Sequence, residues 1–482
     1  MNSMVAENLN SAPAKIKHVH LMGICGTGMA ALAGMLQQSG YTVTGSDNHV
    51  YPPMSVFLSS LKIPVQSGYD GKNLQPAPDL VIVGNVITRK NPEAVALAEM
   101  AIPYLSFPQA LAYFFIQSRT SLVVAGTHGK TTTCSLLATS LYKAGLDPSF
   151  MIGGIVRQFG TNFRLGNGRF FVAEGDEYDT AFFDKESKFL HYRPHVAIIT
   201  SLEFDHADIF ADLAAIKKAF RKFVALLPKD GLLVAHLDDP NVAEIAAEAP
   251  CTVHGYGFSR ERTWAIDDLH TENNATLFRV LKNGSPWKQM TVNLSGRHNA
   301  LNSLAVCAVL DHLQVRFEAI DAGLRGFEGV KRRQEVRGIE NGITVIDDFA
   351  HHPTAVKETL DGLKAAYPGQ RLIAVFEPRT NSSRRAVFQK DYVLAFDAAD
   401  LVLLREPLPI DGLSADELFS SERLANDLVN ERNLTAEALP ETDAILKRLI
   451  SLLRQGDVVA ILSNGGFDNI HERLLEQLKS LP

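Results

Sequence analysis

The sequence is poor in cysteine and has no excess of basic residues. It contains four cysteines in 482 residues, Cys25, Cys134, Cys251 and Cys307, and no two of them form a C-x-x-C pair. That spacing predicts neither a cysteine zinc site nor a disulfide framework, and it favours reduced thiols. Aspartate and glutamate (54) outnumber lysine and arginine (47), which gives a formal net charge of −7. Without a basic patch or an arginine-rich run, nucleic acid is not an expected partner.

Long apolar segments are also missing. No stretch reaches the roughly 18 uninterrupted apolar residues that a membrane helix needs. The small and polar residues before residue 15 lack the apolar core of a secretion signal. We therefore expect a cytoplasmic protein with no membrane partner. Because 46% of the residues are hydrophobic, a chain of this length is expected to build several cores, in about three domains.

The most informative stretch is SLVVAGTHGKTTTCS, residues 121–135. A β-prone run enters a glycine turn, and an apolar helix pattern follows. Backbone N–H groups at Gly126 and Gly129 can close on phosphate oxygens, Lys130 adds positive charge, and the Thr131 hydroxyl can bind Mg²⁺. This pattern predicts an ATP site, although only two residues separate the glycines where the common P-loop has four. A tight turn with a solvated lysine is the alternative. The residues of this phosphate loop are Gly126, Thr127, His128, Gly129, Lys130, Thr131 and Thr132.

A second glycine turn lies near the N-terminus, at residues 23–28, between a short strand and a helix. A second strand then ends at Asp47, where a carboxylate can meet a ribose. The order of glycines is G-x-x-G-x-G, with Cys25 at the place of the central glycine of the dinucleotide fingerprint. This N-terminal glycine turn therefore predicts binding of some nucleotide diphosphate, with a purely structural turn as the alternative. Residues 88–93 could face the same ligand, or could simply begin a helix at Asn91.

Acidic residues follow two further strands. The strand at 169–173 leads to Glu174, Asp176, Glu177 and Asp179, and the strand at 196–200 leads to Glu203, Asp205, His206 and Asp208. Because ligands bind at the carboxyl ends of strands in open α/β sheets, these groups could assemble a nucleotide–metal site with the phosphate loop. A solvated acidic loop is the alternative. Residues 251–295 alternate in the manner of small antiparallel strands.

Polar residues also begin a helix near residue 296. Asn299 and Asn302 are one turn apart, and the sequence leaves helix capping by Asn299 and recognition of an adenine edge equally open. Residues 326–333 form a basic linker in which Arg333 could reach a phosphate. A later strand ends at Asp347 and Asp348, followed by FAHHPT.

The last third carries further candidates for ligand binding. The paired histidines His351 and His352 favour a ligand role, although no metal-ligand spacing is evident. Arginines after a strand at 372–376 could bind carboxylates in forked geometry, and a glycine turn follows the strand at 458–462. These candidates are Arg379, Arg384, Arg385, Asn464, Gly465 and Gly466.

Taken in order, the motifs GICGTGMAALA, GTHGKTTT, EGDEYD, LEFDH, GRHNALN and DDFAHHP resemble the Mur ligases, the ATP-dependent amide-bond-forming enzymes of peptidoglycan synthesis. The resemblance runs over nearly the whole chain and implies an α/β protein of three domains. It implies a Rossmann-like UDP-sugar domain at 1–117, a P-loop-like ATPase domain at 118–331 and a Rossmann-like amine-substrate domain at 332–482. The N-terminal motif is similar to the branch that takes UDP-N-acetylmuramate itself. Within that branch, the stretches AEGDEYDTAFFDKESKFLHYRP, LEFDHADIF, FEPRTNSS and LSNGGF are similar to members that attach a recycled murein tripeptide.

The resemblance also implies roles for individual residues. Lys130, Glu174 and His206 would be catalytic, with Mg²⁺ held by Thr131, Glu174 and His206. The ATP site would add Asn299, Asn302, Arg333 and Asp348 to the phosphate loop; the UDP part would be held by Gly26, Thr27, Gly28 and Asp47, and the peptide by Arg379, Asn464 and Gly465. Several Mur ligases carry a carbamylated lysine downstream of the metal histidine, but Phe220 and Arg221 occupy that distance here. An L-alanine-adding ligase and, more distantly, a nucleotide-binding oxidoreductase are the alternatives.

Overall fold

A computed structural model describes residues 6–51, 54–205, 207, 209–410 and 412–480. Within these ranges the chain forms three main sheets, one after another in sequence, and each is covered by helices. Short buried runs such as Val19–Met22 of the first strand, which no polar residue but His20 interrupts, are typical of parallel strands covered on both faces. This is the three-domain α/β architecture that the sequence predicts. The boundaries at residues 117 and 331 stay predictions.

The first sheet has five parallel strands in the spatial order β3-β2-β1-β4-β5. Its strands are β1 His18–Met22, β2 Thr42–Asp47, β3 Val65–Ser67, β4 Leu80–Val83 and β5 Tyr104–Ser106. Its helices are α1 Thr27–Gln38, α2 Met54–Ser60, α3 Pro92–Glu99 and α4 Phe107–Leu111, the last continuing into a π-helical turn at Ala112–Ile116. Asn91 accepts hydrogen bonds from the first N–H groups of α3, so it does begin that helix.

The second sheet has ten strands in the order β17-β16-β15-β14-β13-β12-β6-β9-β7-β8. They are β6 Thr120–Ala125, β7 Ser149–Val156, β8 Thr161–Arg164, β9 Phe170–Gly175, β12 Val196–Ile199, β13 Leu232–His236, β14 Thr252–Gly257, β15 Trp264–Glu272, β16 Ala275–Lys282 and β17 Ser285–Val292. The last three form the antiparallel end that the sequence predicts for 251–295. A separate hairpin joins β10 Asp179–Ala181 to β11 Asp184–Ser187. The helices are α5 Lys130–Lys143, α6 Leu213–Val224, α7 Pro240–Ala246, α8 Arg297–His312 and α9 Phe317–Arg325.

The third sheet has six strands in the order β18-β19-β23-β20-β21-β22, with an antiparallel edge at β18. The strands are β18 Glu335–Glu340, β19 Ile343–Asp348, β20 Leu372–Phe376, β21 Leu401–Arg405, β22 Ala436–Leu439 and β23 Val458–Leu462. The helices are α10 Pro353–Ala366, α11 Ser421–Arg432, α12 Thr442–Leu452 and α13 Ile470–Lys479. None of the helices described in the three units combines the length and apolar character needed to cross a membrane.

Successive side chains of a strand point to opposite faces of the second sheet, and each face packs into a different hydrophobic core. Leu122 and Val124 of β6 face the side covered by α5 and α8, whereas Val123 and Ala125 face the side that packs towards the first sheet. Phe163 of β8 closes that interface, because it packs so tightly on α1 that a Cβ at Gly34 would lie 2.8 Å from its ring. The first and second sheets thus share one continuous core.

Candidate functional site

The phosphate loop leaves the middle of the second sheet. β6 lies between β12 and β9, and all three strands are parallel, so their carboxyl ends meet at one edge. Gly126 (φ +137°) and Gly129 (φ +80°) adopt backbone conformations that favour glycine. A Cβ at Gly126 would lie 2.1 Å from Thr200 Oγ1, and one at Gly129 would lie 2.7 Å from Asn302 Oδ1. Both glycines are therefore required by conformation and by space.

The side chain of Lys130 forms an ion pair and hydrogen bonds with neighbouring residues. Its Nζ lies 3.0 and 2.9 Å from the two carboxylate oxygens of Glu177 and also donates to the carbonyls of Gly126 and Thr127. Burial alone would lower the pKa of Lys130, but the charge of Glu177 and the hydrogen bond to it outweigh burial and raise it. The lysine is thus a fixed positive charge at the helix N-terminus, and a phosphate must compete with Glu177 for it.

Thr131 and Glu174 meet beside the lysine. The Thr131 hydroxyl donates to Glu174 Oε1 at 2.9 Å, and the backbone N–H of Gly153 donates to Oε2 at 2.7 Å. Burial raises the pKa of Glu174. A hydroxyl and a carboxylate in contact are the hard oxygen donors that Mg²⁺ prefers, so these two predicted ligands fit the ion. The third predicted ligand, His206, lies outside the described residues, as does Asp208.

The other carboxylates after β9 and β12 are divided among several partners. Asp176 pairs with Lys188 at 2.8 Å, and Asp179 pairs with Lys185 at 2.6 Å. Of the four acidic residues predicted here, Glu174, near the end of β9, and Glu177, just after it, contact the phosphate loop. The carboxylates therefore lie near the predicted edge of the sheet, but they pair with different partners.

Asn299 and Asn302 lie inside α8, directly behind the phosphate loop. Gly296 occupies the N-cap of this helix, so the interpretation of Asn299 as the cap is wrong. Asn299 instead donates from its side chain to the Ser295 carbonyl at 2.7 Å, and Asn302 donates to Asn299 Oδ1 at 3.4 Å. Both side chains are buried, and Asn302 faces Gly129.

Arg333 and Asp348 approach the second sheet from the third. Asp348 accepts backbone N–H bonds from Gln334 at 2.7 Å and Ala350 at 2.8 Å. Burial raises the pKa of Asp348, and the Arg333 guanidinium opposes that rise. The same guanidinium is among the charges that act on Glu174, and it stacks 4.9 Å from the Phe349 ring centroid. The positive charge of Arg333 therefore acts on both carboxylates.

The basic linker predicted at 326–333 packs against the second sheet. Val330 is buried and forms a β-bridge with Val156 of the second sheet. The neighbouring Arg332 donates its guanidinium to the carbonyls of Ser463 and Gly465, both at 2.6 Å. Packing on one side and hydrogen bonds on the other thus attach this segment to both units.

The predicted peptide residues do come together. Arg379 lies against the turn after β23 so closely that a Cβ at Gly465 would fall 2.1 Å from its Cδ. Asn464 Oδ1 is buried there without a hydrogen-bond partner among the described residues. Arg384 turns away instead and donates to the Leu408 and Pro409 carbonyls.

The N-terminal glycine turn is shaped by Asp47. One carboxylate oxygen of Asp47 accepts the backbone N–H of Cys25, and the other accepts that of His49, both at 2.9 Å. Gly26 is the N-cap of α1, followed by Thr27 and Gly28. Burial, with the charge of Asp47, raises the pKa of the Cys25 thiol to about 11. Asp47 thus belongs to the turn itself, and the four predicted residues lie together.

The sequence did not predict the contacts that two residues make in this site. Glu177 was one of four equivalent carboxylates until its distance to Lys130 singled it out, and Gly153 orients Glu174 through its backbone. For Glu177 the only signal was its place after β9. For Gly153 there was none, because a backbone N–H carries no sequence signature.

Three family models match successive parts of the chain: "Mur ligase family, catalytic domain" at residues 18–119, "Mur ligase middle domain" at 124–310, and "Mur ligase, glutamate ligase domain" at 332–465. A relative from Haemophilus influenzae, a UDP-N-acetylmuramate:L-alanyl-gamma-D-glutamyl-meso-2,6-diaminoheptandioate ligase, is 39% identical over 96% of this chain and 100% of its own. A UDP-N-acetylmuramate:L-alanine ligase from Geotalea daltonii is 35% identical over 97% of this chain and 99% of its own. The solved murein peptide ligase of Psychrobacter arcticus is 36% identical, with a TM-score of 0.70 over 97% of this chain and 99% of its own.

Proposed function

Because this chain belongs to the Mur ligase family, we infer that it joins UDP-N-acetylmuramate to L-alanyl-γ-D-glutamyl-meso-diaminopimelate in an ATP-dependent, ADP-forming reaction of peptidoglycan recycling. The choice of the tripeptide rests on sequence identity over the full length. The chain is 39% identical to the Haemophilus influenzae ligase and 35% identical to the L-alanine ligase, at similar coverage. Membership of this family excludes the oxidoreductase alternative.

The nucleotide site is proposed at the edge where β6, β9 and β12 end. The phosphate loop would take the ATP phosphates, with Lys130 released from Glu177 to neutralise them. Asn299 and Asn302 would address the base, and Arg333 and Asp348 would complete the site from the third sheet. Support comes from the burial of both asparagines and from the position of Arg333 near Glu174.

Mg²⁺ is proposed to be held by Thr131, Glu174 and His206. When bound, the ion would neutralise charge that develops on the transferred phosphoryl group. Gly153 holds the Glu174 carboxylate for that role through its 2.7 Å hydrogen bond.

The reaction is proposed to run through an acyl phosphate. A carboxylate oxygen of UDP-N-acetylmuramate attacks the γ-phosphorus, and ADP leaves. The free amine of the tripeptide then attacks the acyl carbon, the amide bond forms with loss of the amine proton, and phosphate leaves. Lys130 contributes fixed charge where charge builds up, which is where electrostatic catalysis is most effective.

The remaining substrate contacts are proposed at the two ends of the chain. Gly26, Thr27, Gly28 and Asp47 would hold the UDP part, and Arg379, Asn464 and Gly465 would hold the peptide. Asn464 Oδ1, which has no hydrogen-bond partner among the described residues, and the half-exposed Arg379 support the second assignment. We keep the domain limits at 1–117, 118–331 and 332–482, and a cytoplasmic location, as proposals; all four cysteines are free thiols.

The deciding experiment measures ADP release with UDP-N-acetylmuramate and Mg²⁺, with either L-alanine or the tripeptide as the amine. Turnover with the tripeptide alone is expected. Turnover with L-alanine alone would overturn the substrate assignment and leave the ATP and UDP sites standing. In the His206→Ala variant, ADP formation should be lost while binding of the UDP-sugar, measured by calorimetry, persists; unchanged turnover would remove His206 from the reaction.

A further inference from the structure

Three side chains from distant parts of the sequence converge between the second and third sheets: His128 of the phosphate loop, Glu203 after β12, and His352 before α10. His128 Nε2 lies 3.0 Å and His352 Nδ1 3.5 Å from the same oxygen, Glu203 Oε2. All three candidate ligand atoms lie within 4.8 Å of one another. Four tetrahedral ligands about 2.0–2.1 Å from a zinc ion are about 3.3–3.4 Å apart, so small shifts bring these atoms to zinc spacing.

We propose that His128, Glu203 and His352 form a binding site for a transition-metal dication, Zn²⁺ in the first instance, which joins the phosphate loop to the third sheet. Two imidazoles and one carboxylate are a zinc ligand set. Mg²⁺ is not the expected occupant, because it prefers oxygen ligands in octahedral geometry. It shares no residue with the proposed Mg²⁺ site, in which Thr131 and Glu174 supply oxygen ligands beside His206.

Surrounding groups already hold the three ligands in place. His352 Nε2 donates to the Phe204 carbonyl at 3.2 Å, which leaves Nδ1 as the acceptor that faces Glu203. A metal-binding histidine characteristically donates its other ring N–H in this way. The Thr354 hydroxyl donates to Glu203 Oε2 at 2.7 Å and positions the carboxylate. The backbone of His128 is held by Ser201, whose hydroxyl accepts its N–H at 3.0 Å.

Two of the three ligands, Glu203 and His352, have protonation states that suit metal binding. Burial lowers the pKa of His352, and the neighbouring His128 ring lowers it further, so His352 is neutral at pH 7. Burial alone would raise the pKa of Glu203, but the hydrogen bonds from His128 and Thr354 lower it, so Glu203 is ionised. A metal at His352 Nδ1 would replace only a 3.3 Å capping bond from the Thr354 N–H.

A cavity of about 320 Å³ adjoins the cluster and is lined by Glu203, His352, Thr354, Phe204, Phe388 and Leu394. Its opening provides a route for the ion and room for a water molecule as the fourth ligand. Because two ligands belong to the second unit and one to the third, bound metal would restrain movement between them. If the proposed ligase function holds, turnover that requires this movement would slow when the metal binds.

The test titrates ZnCl₂ into the metal-free full-length protein by calorimetry, without nucleotide, substrate or Mg²⁺, so its outcome does not depend on the ligase assignment. We expect one tight site per chain. Glu203→Gln and His352→Gln should each weaken Zn²⁺ binding at least about a hundredfold, the upper end of the effect of losing an outer contact. Thr354→Val, which removes only such a contact, should weaken it about tenfold.

Two matched controls locate the ion. His351→Gln changes the adjacent histidine, and Glu174→Gln disables the proposed Mg²⁺ site; both should keep wild-type Zn²⁺ affinity. Absence of Zn²⁺ binding by the wild type, or unchanged binding by Glu203→Gln and His352→Gln, would overturn the proposal. Zinc-edge X-ray absorption of the wild type needs no variant to fold: two imidazoles with oxygen ligands support the site, whereas a sulfur ligand contradicts it.

Discussion

The N-terminal glycine turn and the phosphate loop are the same local device in two settings. Each follows a parallel strand, contains glycines and leads into the first turn of a helix. In the phosphate loop, Lys130 and the Thr131–Glu174 pair add a cation and a place for another. In the N-terminal glycine turn, the charged group is the carboxylate of Asp47, which accepts a hydrogen bond from a backbone N–H of the same turn. Under the proposed function, the phosphate loop would neutralise a reacting phosphate, whereas the N-terminal glycine turn would only bind its ligand.

The largest effect that distinguishes the two turns is expected at Lys130. Lys130→Ala should lower the rate of ADP formation by roughly 10³-fold, because fixed charge is lost at the reacting phosphate. Binding of UDP-N-acetylmuramate, measured by calorimetry, should not change, since the N-terminal glycine turn has no part in this charge. Lys143→Ala, an exposed change in the last turn of the same helix, is the control. Equal loss of UDP-sugar binding would mean that the two turns act as one site.

The next largest effect is expected at Gly129. Gly129→Ala places a Cβ in a left-handed conformation and against Asn302, and should lower the free energy of unfolding by about 1–3 kcal/mol. ATP affinity should fall about tenfold to a hundredfold, which corresponds to about 1.4 kcal/mol per factor of ten. Both are measured by thermal unfolding with and without ATP.

Gly145→Ala is the control that separates backbone strain from the contact with Asn302 as causes of the lost stability and ATP affinity. Gly145 has φ +75°, close to that of Gly129, but nothing lies within 4 Å of its Cβ position. It should lose stability and keep ATP affinity. Loss of ATP affinity in this control would show that backbone strain alone accounts for the Gly129 result.

Asp47 tests the other turn. Asp47→Asn removes the negative charge while leaving an acceptor oxygen, and should weaken binding of UDP-N-acetylmuramate about tenfold through loss of charge-assisted hydrogen bonds. ATP binding should be unaffected. Asp70→Asn, an exposed aspartate that likewise accepts a backbone N–H from Lys72, is the control. Stronger binding of the UDP-sugar would mean that Asp47 repels the diphosphate and only shapes the turn.

The smallest effect is expected at Glu177. Glu177→Gln frees Lys130 from its carboxylate, so a non-hydrolysable ATP analogue should bind about threefold to tenfold more tightly by calorimetry. Asp176→Asn, whose carboxylate pairs with Lys188 instead, is the control. Weaker binding in Glu177→Gln would show that Glu177 positions the lysine for ATP and does not compete with it.

Strand patterns and loop chemistry were predictable because both are local. The buried runs of β6, β9 and β12 and the polar residues after them predicted one edge with a phosphate loop and carboxylates, and the sheet order places those strands side by side. The role of Asn299 was not predictable, because capping depends on where the helix starts, and Gly296 takes that place. Composition did not show that the basic linker at 326–333 is anchored by the buried side chain of Val330.

The sequence by itself determined the three α/β units, the glycines that the phosphate loop requires, and the kinds of side chain at the end of each strand. Only the tertiary structure decided which carboxylate meets which cation, since Asp176 and Glu177 are adjacent yet pair with Lys188 and Lys130. It also brought His128, Glu203 and His352 together from three segments with no recognisable ligand spacing. Side-chain pairing depends on distances across the fold, and a linear pattern records only distances along the chain.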